Sequence, residues 1–137
     1  MQTFLPYRSF ERSARVLDPK RLGKQRVETL QILHTLAGKS NAWQHHPAVR
    51  MWRGYEHTLI DYGTSVCEEW RRRGYKDSCL EKIAAYRPLF PPNSAIPPWL
   101  GQRRFHNGHQ AALLRKFPEY YAPYFTVSKE LEFIWPV

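Results

Sequence analysis

The residue that stands out as a candidate for chemistry is a glutamate that lies among cations on a predicted helix. Within residues 18–36, four polar residues recur at steps of three and four positions: Arg21, Lys24, Glu28 and Gln31. Steps of this size place side chains on one face of an α-helix. A carboxylate there could stabilise a cationic or oxocarbenium-like sugar. The alternative is a solvated helix face on which Glu28 is linked to a neighbouring cation.

Histidines form a second group that could do chemistry, because imidazole nitrogens are common metal ligands. His106 and His109 are three residues apart in a predicted helix, and His46 precedes another predicted helix. These three side chains could support a metal-dependent hydrolase. The chain has no H-E-x-x-H motif, however, and no Walker, G-x-S-x-G or dinucleotide-binding glycine pattern. We therefore expect neither a metal nor another cofactor.

Charge and composition favour a nucleic-acid partner. The 137-residue chain has a formal net charge of +9, and its basic residues fall in several separate segments. A folded domain with cations on several elements presents a surface suited to a polyanion. No apolar run is long enough to span a membrane, and Cys67 and Cys79 form neither a metal motif nor a disulfide framework. We expect a monomeric cytoplasmic protein.

The helix that carries Glu28 should begin at Asp18, which is a good N-cap, with Pro19 in its first turn. Gly38 is a candidate for its C-terminal cap. Apolar residues at helical spacing predict its buried face: Leu22, Val27, Leu30, Ile32, Leu33, Leu36 and Ala37. Glu28 and the basic residues around it would then lie on the opposite face.

A second long helix is predicted over Pro47–Arg73, because apolar residues recur there at alternating steps of four and three. Gly74 should end it. Ser78 and Glu81 have the spacing of a capping box for a shorter helix that runs through Tyr86.

Residues 88–98, the Pro-rich crossing, contain five prolines and cannot form a helix or a central strand. Apolar residues at this crossing are expected to be buried: Leu89, Phe90, Ile96 and Trp99. A last helix should cover residues 105–116, and an aromatic tail follows it. The prediction is an all-α fold: a compact single-domain helical bundle over residues 1–137 with two long helices.

Four segments carry a more specific resemblance when they are taken in order: RLGKQRVETLQIL, HHPAVRMWRGY, CEEWRRRGYKD and PPWLGQRRFHNGHQAALLRKFPEYY. Together they resemble the pyrimidine-dimer DNA glycosylase/AP lyase family of the phage endonuclease V type. The resemblance covers nearly the whole chain. It implies an all-helical DNA-repair enzyme that excises damaged pyrimidines from duplex DNA, with strand cleavage after base removal.

The resemblance also implies site residues. In that family the α-amino group of the mature N-terminus attacks the sugar C1′, and a glutamate on the first long helix is essential; the matching residues here are Met1 and Glu28. DNA contacts are implied for residues that match basic, histidine and aromatic positions of the family: Lys24, Arg26, His46, Arg115, Lys116, Tyr120, Tyr121 and Tyr124. Charge alone adds four phosphate-binding candidates: Lys20, Arg21, Arg50 and Arg53.

Residue 2 departs from the family pattern, because Gln2 is too bulky for ordinary removal of Met1. The nucleophile could be the Met1 amine, an amine exposed by trimming to Gln2 or Thr3, or Lys24. Otherwise Glu28 activates water and the lyase step is absent. An α-amine is favoured in general, because its reference pKa is about 8 whereas that of a lysine is about 10.4. The main rival function is a non-catalytic nucleic-acid-binding protein on the same scaffold.

Overall fold

In a computed structural model that describes residues 1–137, the protein consists of helices and connecting segments and has no strand. The α-helices are α1 (Phe10–Val16), α2 (Pro19–Leu36), α3 (Pro47–Arg50), α4 (Glu56–Arg72), α5 (Leu80–Ala84), α6 (Arg103–Lys116) and α7 (Pro118–Tyr121), and a 3-10 helix covers Arg87–Leu89. The predicted all-α class is confirmed. None of these helices combines the length and the apolar composition needed to cross a lipid bilayer.

Helix α2 begins and ends where the sequence predicts. The Asp18 carboxylate accepts a hydrogen bond from the backbone N–H of Arg21 at 3.4 Å. After the last turn, Gly38 has a φ of 76°, a left-handed conformation that glycine adopts at little cost. The predicted buried face is partly wrong, because Val27 is 43% exposed while the polar side chain of Gln25 is buried.

The predicted second long helix is interrupted. Gly54, with a φ of 89°, separates α3 from α4, and its N–H donates to the Glu56 carboxylate at 2.7 Å. Trp52 and Leu59 are fully buried on either side of this break. Both helices therefore contribute to the same core, which explains why the apolar period continues through the interruption. Gly74 follows the end of α4, as predicted.

The predicted capping box of Ser78 and Glu81 is wrong. Asp77 caps the start of α5 instead, since its carboxylate accepts hydrogen bonds from the backbone N–H groups of Cys79 and Leu80, both at 3.0 Å. A carboxylate at a helix start is doubly favourable, because it satisfies free N–H groups and complements the helix dipole.

The chain after α5 also differs in detail from the prediction. Helix α5 ends at Ala84 rather than at Tyr86. In and beside the Pro-rich crossing, Trp99 is buried as expected, but Leu89 and Ile96 are 57% and 62% exposed. The prolines do exclude an α-helix from this segment.

Helix α4 packs against α1, α2 and α5, and the buried apolar core also takes in residues of α6 and the first residues of the chain. Helices α2 and α4 approach closely, because a Cβ atom on Gly63 would lie only 2.7 Å from the Thr29 methyl carbon. Residues 1–6, the N-terminal arm, contribute Phe4 and Leu5 to the buried apolar cluster. The start of the chain is therefore packed into the fold beside α2.

Candidate active site

A buried glutamine on α2 binds the N-terminal arm. The Gln25 side-chain oxygen accepts a hydrogen bond from the Phe4 N–H at 2.9 Å, and its amide nitrogen donates to the Gln2 carbonyl at 3.0 Å. The hydroxyl of Tyr62 lies 2.8 Å from the Phe4 carbonyl and 2.6 Å from the same glutamine oxygen. These contacts fix the backbone of residues 2–4 against α2 and α4.

Two histidines of α6 fix the other end of the arm. The Leu5 N–H donates to His109 Nδ1 at 2.9 Å, and His106 Nδ1 lies 2.8 Å from the Leu5 carbonyl. Because the Gly101 N–H donates to His106 Nε2 at 2.8 Å, the proton of His106 is on Nδ1, which donates to Leu5. Burial lowers the pKa of both imidazoles, that of His109 to about 3.

These contacts contradict the metal-site hypothesis for His46, His106 and His109. Three of the four ring nitrogens on α6 already bond to the backbone of the arm or of Gly101. The structure contains no group of three histidine, cysteine or acidic side chains that could hold a metal ion. The α6 histidines instead hold the N-terminal arm in place.

Glu28 lies beside the start of the chain. Its Oε2 accepts hydrogen bonds from the Gln2 N–H at 3.2 Å and from the Gln25 amide at 3.3 Å. The α-amino group of Met1 is one residue from that N–H, which is about 3.8 Å of chain. The amine and the carboxylate therefore share one site, and Glu28 remains partly exposed to solvent.

The imidazole of His46 belongs to the same site. Burial lowers its pKa, the positive N-terminal amine lowers it further, and the Glu28 carboxylate opposes this shift. A charged group shifts a pKa in this way only when it lies near the titrating group, so both charges lie near His46. His46 Nδ1 accepts the Ala48 N–H at 3.0 Å, so the neutral ring carries its proton on Nε2. The rings of Trp43 and Trp135 meet that of His46 edge-on, with centroids 5.8 and 5.6 Å away.

An open groove of about 390 Å³ runs along α2 beside Glu28. Lys20 and Lys24 line the groove, are exposed, and make no ion pair. Val27 and Trp70 form apolar parts of its wall. The groove therefore offers free cations and some apolar surface within the reach of the carboxylate.

Two arginines predicted to bind phosphate are already paired within the protein. Arg26 bonds to Asp77 at 2.6 Å, and its guanidinium lies over the ring of Trp70, 4.5 Å from the centroid. Its side chain is only 13% exposed. Arg21 bonds to the Asp18 carboxylate at 3.1 Å and is 20% exposed. Arg26 in particular serves to join α2 to the start of α5.

Tyr121 is fully buried, so the prediction that it contacts DNA is wrong. Its hydroxyl donates to the Asp18 carboxylate and accepts the Asp18 N–H at 2.9 Å. Burial, together with this hydrogen bond, raises the pKa of Tyr121. Arg115 is also engaged, because it donates to the backbone carbonyls of Lys129 and Leu131 at 2.5 and 2.8 Å. It anchors the C-terminal tail.

The other predicted DNA contacts are accessible but lie in different places. Arg50 and Arg53 are exposed in and just after α3, the short helix that His46 caps. Lys116 and Tyr124 are exposed and Tyr120 is half-buried near the end of α6. The adjacent Tyr121 bonds to Asp18, which lies ten residues, or about 15 Å along α2, from Glu28. Lys116, Tyr120 and Tyr124 are therefore not gathered around Glu28.

Three residues of the site were not found in the sequence as site residues: Gln25, Trp43 and Trp135. Gln25 occupies a buried position of α2, and its helical spacing from Leu22 could have indicated a polar side chain turned inward. Trp43 lies in a loop without a regular pattern. Trp135 reaches His46 only because the tail folds back along α6, where Phe133 stacks on His109 at 4.4 Å.

The fold and the site together define a small, basic, all-α protein in which the chain start, a carboxylate and an imidazole share one site. A model of the pyrimidine dimer DNA glycosylase family matches residues 1–82, which include the N-terminal arm, α2 and His46. The chain belongs to this family, which indicates a DNA-repair glycosylase with DNA as its substrate. No curated protein and no solved structure gives a significant match.

Proposed function

We propose that the protein excises damaged pyrimidines from duplex DNA by attack of the Met1 α-amine on the sugar, with Glu28 as the partner carboxylate. The observation that carries this proposal is the 3.2 Å hydrogen bond from the Gln2 N–H to Glu28. This bond holds the Glu28 carboxylate against the backbone of Gln2, the residue next to the Met1 amine. Family membership supplies the class of reaction and the substrate.

The first step is displacement of the base. The neutral amine uses its lone pair to form a bond to C1′ while the bond from C1′ to the base nitrogen breaks. The base leaves with that electron pair and takes up a proton from water. Positive charge develops on the sugar during this step, and the Glu28 carboxylate stabilises it. The attached nitrogen then loses one proton, its lone pair breaks the C1′–O4′ bond, and O4′ takes up a proton, which opens the sugar ring and gives an imine in its protonated form.

We further propose that His46 receives the proton that the amine loses. Its lowered pKa keeps the imidazole neutral near pH 7, and a neutral imidazole accepts a proton while adding no positive charge beside the amine. Nδ1 is the nitrogen that accepts this proton, and it is held by the Ala48 N–H, so that hydrogen bond must break, by rotation of the ring, before the transfer.

Strand cleavage is the second part of the proposal. Protonation of the imine makes the C2′ proton acidic, and Glu28 accepts this proton. The electron pair of the C2′–H bond then forms a double bond between C2′ and C3′. The C3′–O bond breaks, and the 3′ phosphate leaves with its electrons. The same carboxylate thus stabilises a cation first and accepts a proton later.

DNA binding is assigned to cations that the fold leaves free. Lys20 and Lys24 line the groove beside Glu28, and Arg50 and Arg53 are exposed around the His46 side of the site. A damaged nucleotide must leave the base stack to bring C1′ to the amine, and a damaged step is the least costly to open.

The test combines a variant with trapping of the imine. Glu28→Gln keeps the size of the side chain and removes its charge, so base release from ultraviolet-irradiated duplex should fall by about 10²-fold or more. DNA affinity should be unchanged or higher. Glu68→Gln is the matched control, because Glu68 is an exposed carboxylate of α4 without an ion pair.

Borohydride trapping on irradiated and abasic duplexes, followed by mass spectrometry, then identifies the nucleophile. An adduct on the N-terminal peptide is the expected result, and a chain extended by one alanine before Met1 should shift the adduct to the new terminus or lose it. An adduct on Lys24 would overturn the assignment of the amine. Base release without an adduct would leave a glycosylase in which Glu28 activates water, and neither adduct nor release would favour a non-catalytic DNA-binding protein.

A further inference from the structure

Trp43 combines two unfavourable features at the edge of the candidate site. It has a φ of 62°, the single positive value among residues other than glycine. This left-handed conformation costs a residue with a Cβ atom about 1–2 kcal/mol. The side chain is also 54% exposed, although tryptophan is among the residues that gain most from burial. Strained residues of this kind cluster at functional sites.

The loop that carries Trp43 is anchored on both sides. The Thr35 hydroxyl at the end of α2 donates to the Ala42 carbonyl at 2.7 Å, and the His46 N–H donates to the Trp43 carbonyl at 2.8 Å. The indole meets the His46 ring at 83° with the centroids 5.8 Å apart. The position of Trp43 relative to the amine and the carboxylate is therefore fixed by the fold.

Trp135 also contacts His46, but it is part of the packed tail. It is half-buried and lies against Phe133, with ring centroids 4.7 Å apart, and Phe133 in turn stacks on His109. Trp43 has no comparable packing apart from its edge contact with His46. Of the two tryptophans beside the site, Trp43 is the one with a free face.

We propose that Trp43 is a stacking wedge, whose indole enters the duplex at the damaged step and fills the space that the displaced nucleotide leaves. This inference rests on the proposed function. Apolar side chains that insert between base pairs unstack and kink the duplex, and stacking of an aromatic ring on a base contributes about 1–3 kcal/mol. The indole meets His46 at the edge of the site that holds the amine and the carboxylate, which is the edge that a duplex would meet as the reacting sugar enters.

The positive φ of Trp43 allows a variant that should remove the indole without a loss of stability. Glycine adopts a positive φ freely, so Trp43→Gly removes the indole and the backbone strain together. The variant should be as stable as the wild type in urea, or more stable. A loss of DNA recognition could then not be attributed to unfolding. Trp43→Phe should keep part of the stacking, and Ile96→Ala, which removes an exposed apolar side chain of the Pro-rich crossing, is the control.

The measurement is the affinity for a labelled duplex that contains one tetrahydrofuran abasic analogue, compared with the same duplex undamaged. The analogue cannot form an imine, so binding is read without chemistry. Trp43→Gly should weaken binding to the analogue duplex by about 5- to 150-fold, the equivalent of the stacking energy, and binding to undamaged DNA by less than about twofold. A 2-aminopurine placed opposite the analogue should be quenched by the wild type and not by Trp43→Gly.

Each outcome distinguishes the two proposals. If Trp43→Gly keeps the wild-type preference for the analogue duplex while the wild type releases damaged bases, the wedge is overturned and the proposed function stands. If Trp43→Gly unfolds more easily than the wild type, Trp43 has a structural role and the wedge is again overturned. If the wild type neither prefers the analogue nor releases bases, both proposals fail.

Discussion

Replacing Gln25 with methionine should detach the N-terminal arm from α2 without emptying the space beside it. The two side chains have similar lengths, and Gln25 is only 2% exposed, so the change removes hydrogen bonds at nearly constant volume. The lost bonds are those to the Phe4 N–H at 2.9 Å, to the Gln2 carbonyl at 3.0 Å, to Glu28 at 3.3 Å and to the Tyr62 hydroxyl at 2.6 Å.

The loss of stability depends on which hydrogen-bonding partners of Gln25 are left unsatisfied. The Phe4 N–H is buried and would have no acceptor, which costs about 1–3 kcal/mol. The Gln2 carbonyl is only partly buried and can bond to water, so its loss adds about 1 kcal/mol or less. We expect the free energy of unfolding to fall by about 1–4 kcal/mol.

Gln25→Met should lower activity because it displaces the Met1 amine, and not because it weakens DNA binding. A displacement of about 1 Å in a reacting group can cost about 10²-fold in rate, so the single-turnover rate of base release should fall by about 10- to 100-fold. The DNA concentration at half-maximal rate should change little, because Lys20 and Lys24 are untouched. Urea unfolding and single-turnover kinetics on an irradiated duplex measure the two effects.

Tyr62→Phe is the matched control for this prediction. It removes a hydroxyl that lies 2.6 Å from the Gln25 oxygen and 2.8 Å from the Phe4 carbonyl, but it leaves both bonds from Gln25 to the arm. It should cost about 1–3 kcal/mol of stability, because the buried Phe4 carbonyl loses its donor, and lower the single-turnover rate less than Gln25→Met does. A wild-type rate for Gln25→Met, or an equal loss of rate for Tyr62→Phe, would refute the reasoning.

Two further predictions concern salt and pH. Replacing Lys20 and Lys24 with glutamine should lower the slope of log K for DNA binding against log salt concentration by about 2, since each phosphate contact contributes about 0.9. Arg87→Gln is the control and should leave the slope unchanged, because Arg87 already bonds to Asp61 at 2.7 Å. An unchanged slope in the double variant would exclude the groove from the DNA interface. Burial lowers the pKa of His109 to about 3, below the value of about 6.5 in the unfolded chain. The unfolded chain therefore binds more protons than the folded protein between these two pH values. The contribution of neutral His109 to the free energy of unfolding is fully present above about pH 6.5 and is lost as the pH falls towards 3, by up to about 1.4 kcal/mol per pH unit. Urea unfolding at several pH values should show this loss, and His109→Gln should flatten it.

The ends of α2 could be predicted because each depends on one nearby residue. Asp18 satisfies backbone N–H groups of its own first turn, and Gly38 allows a left-handed residue after the last turn. The break at Gly54 depends on the same kind of local signal, but it was hidden by the apolar period, which continues because α3 and α4 pack into one core. A periodic pattern reports which residues are buried and does not show whether the helix between them is continuous.

The candidate site could be predicted only in part. Glu28 was found because helical spacing places it among cations. Its contact with residue 2 depends on how the N-terminal arm packs, and no local pattern contains that information. Asp18 shows the same limit: its role as an N-cap is local, whereas its bonds to Tyr121, 103 residues away, bury a side chain that had been predicted to contact DNA.

The packing of the arm also bears on which amine reacts. The Met1 amine is attached to a backbone whose third to fifth residues are buried and bonded to α2, α6 and Trp52. Lys24 is exposed and makes no ion pair, so its side chain would lose about 2 kcal/mol of rotamer entropy on being held against a sugar. The α-amine has been largely ordered by folding before DNA arrives, and ordering of this kind is a main source of catalytic rate. The bonds that stabilise the arm are for this reason the same bonds that favour Met1 over Lys24 as the nucleophile.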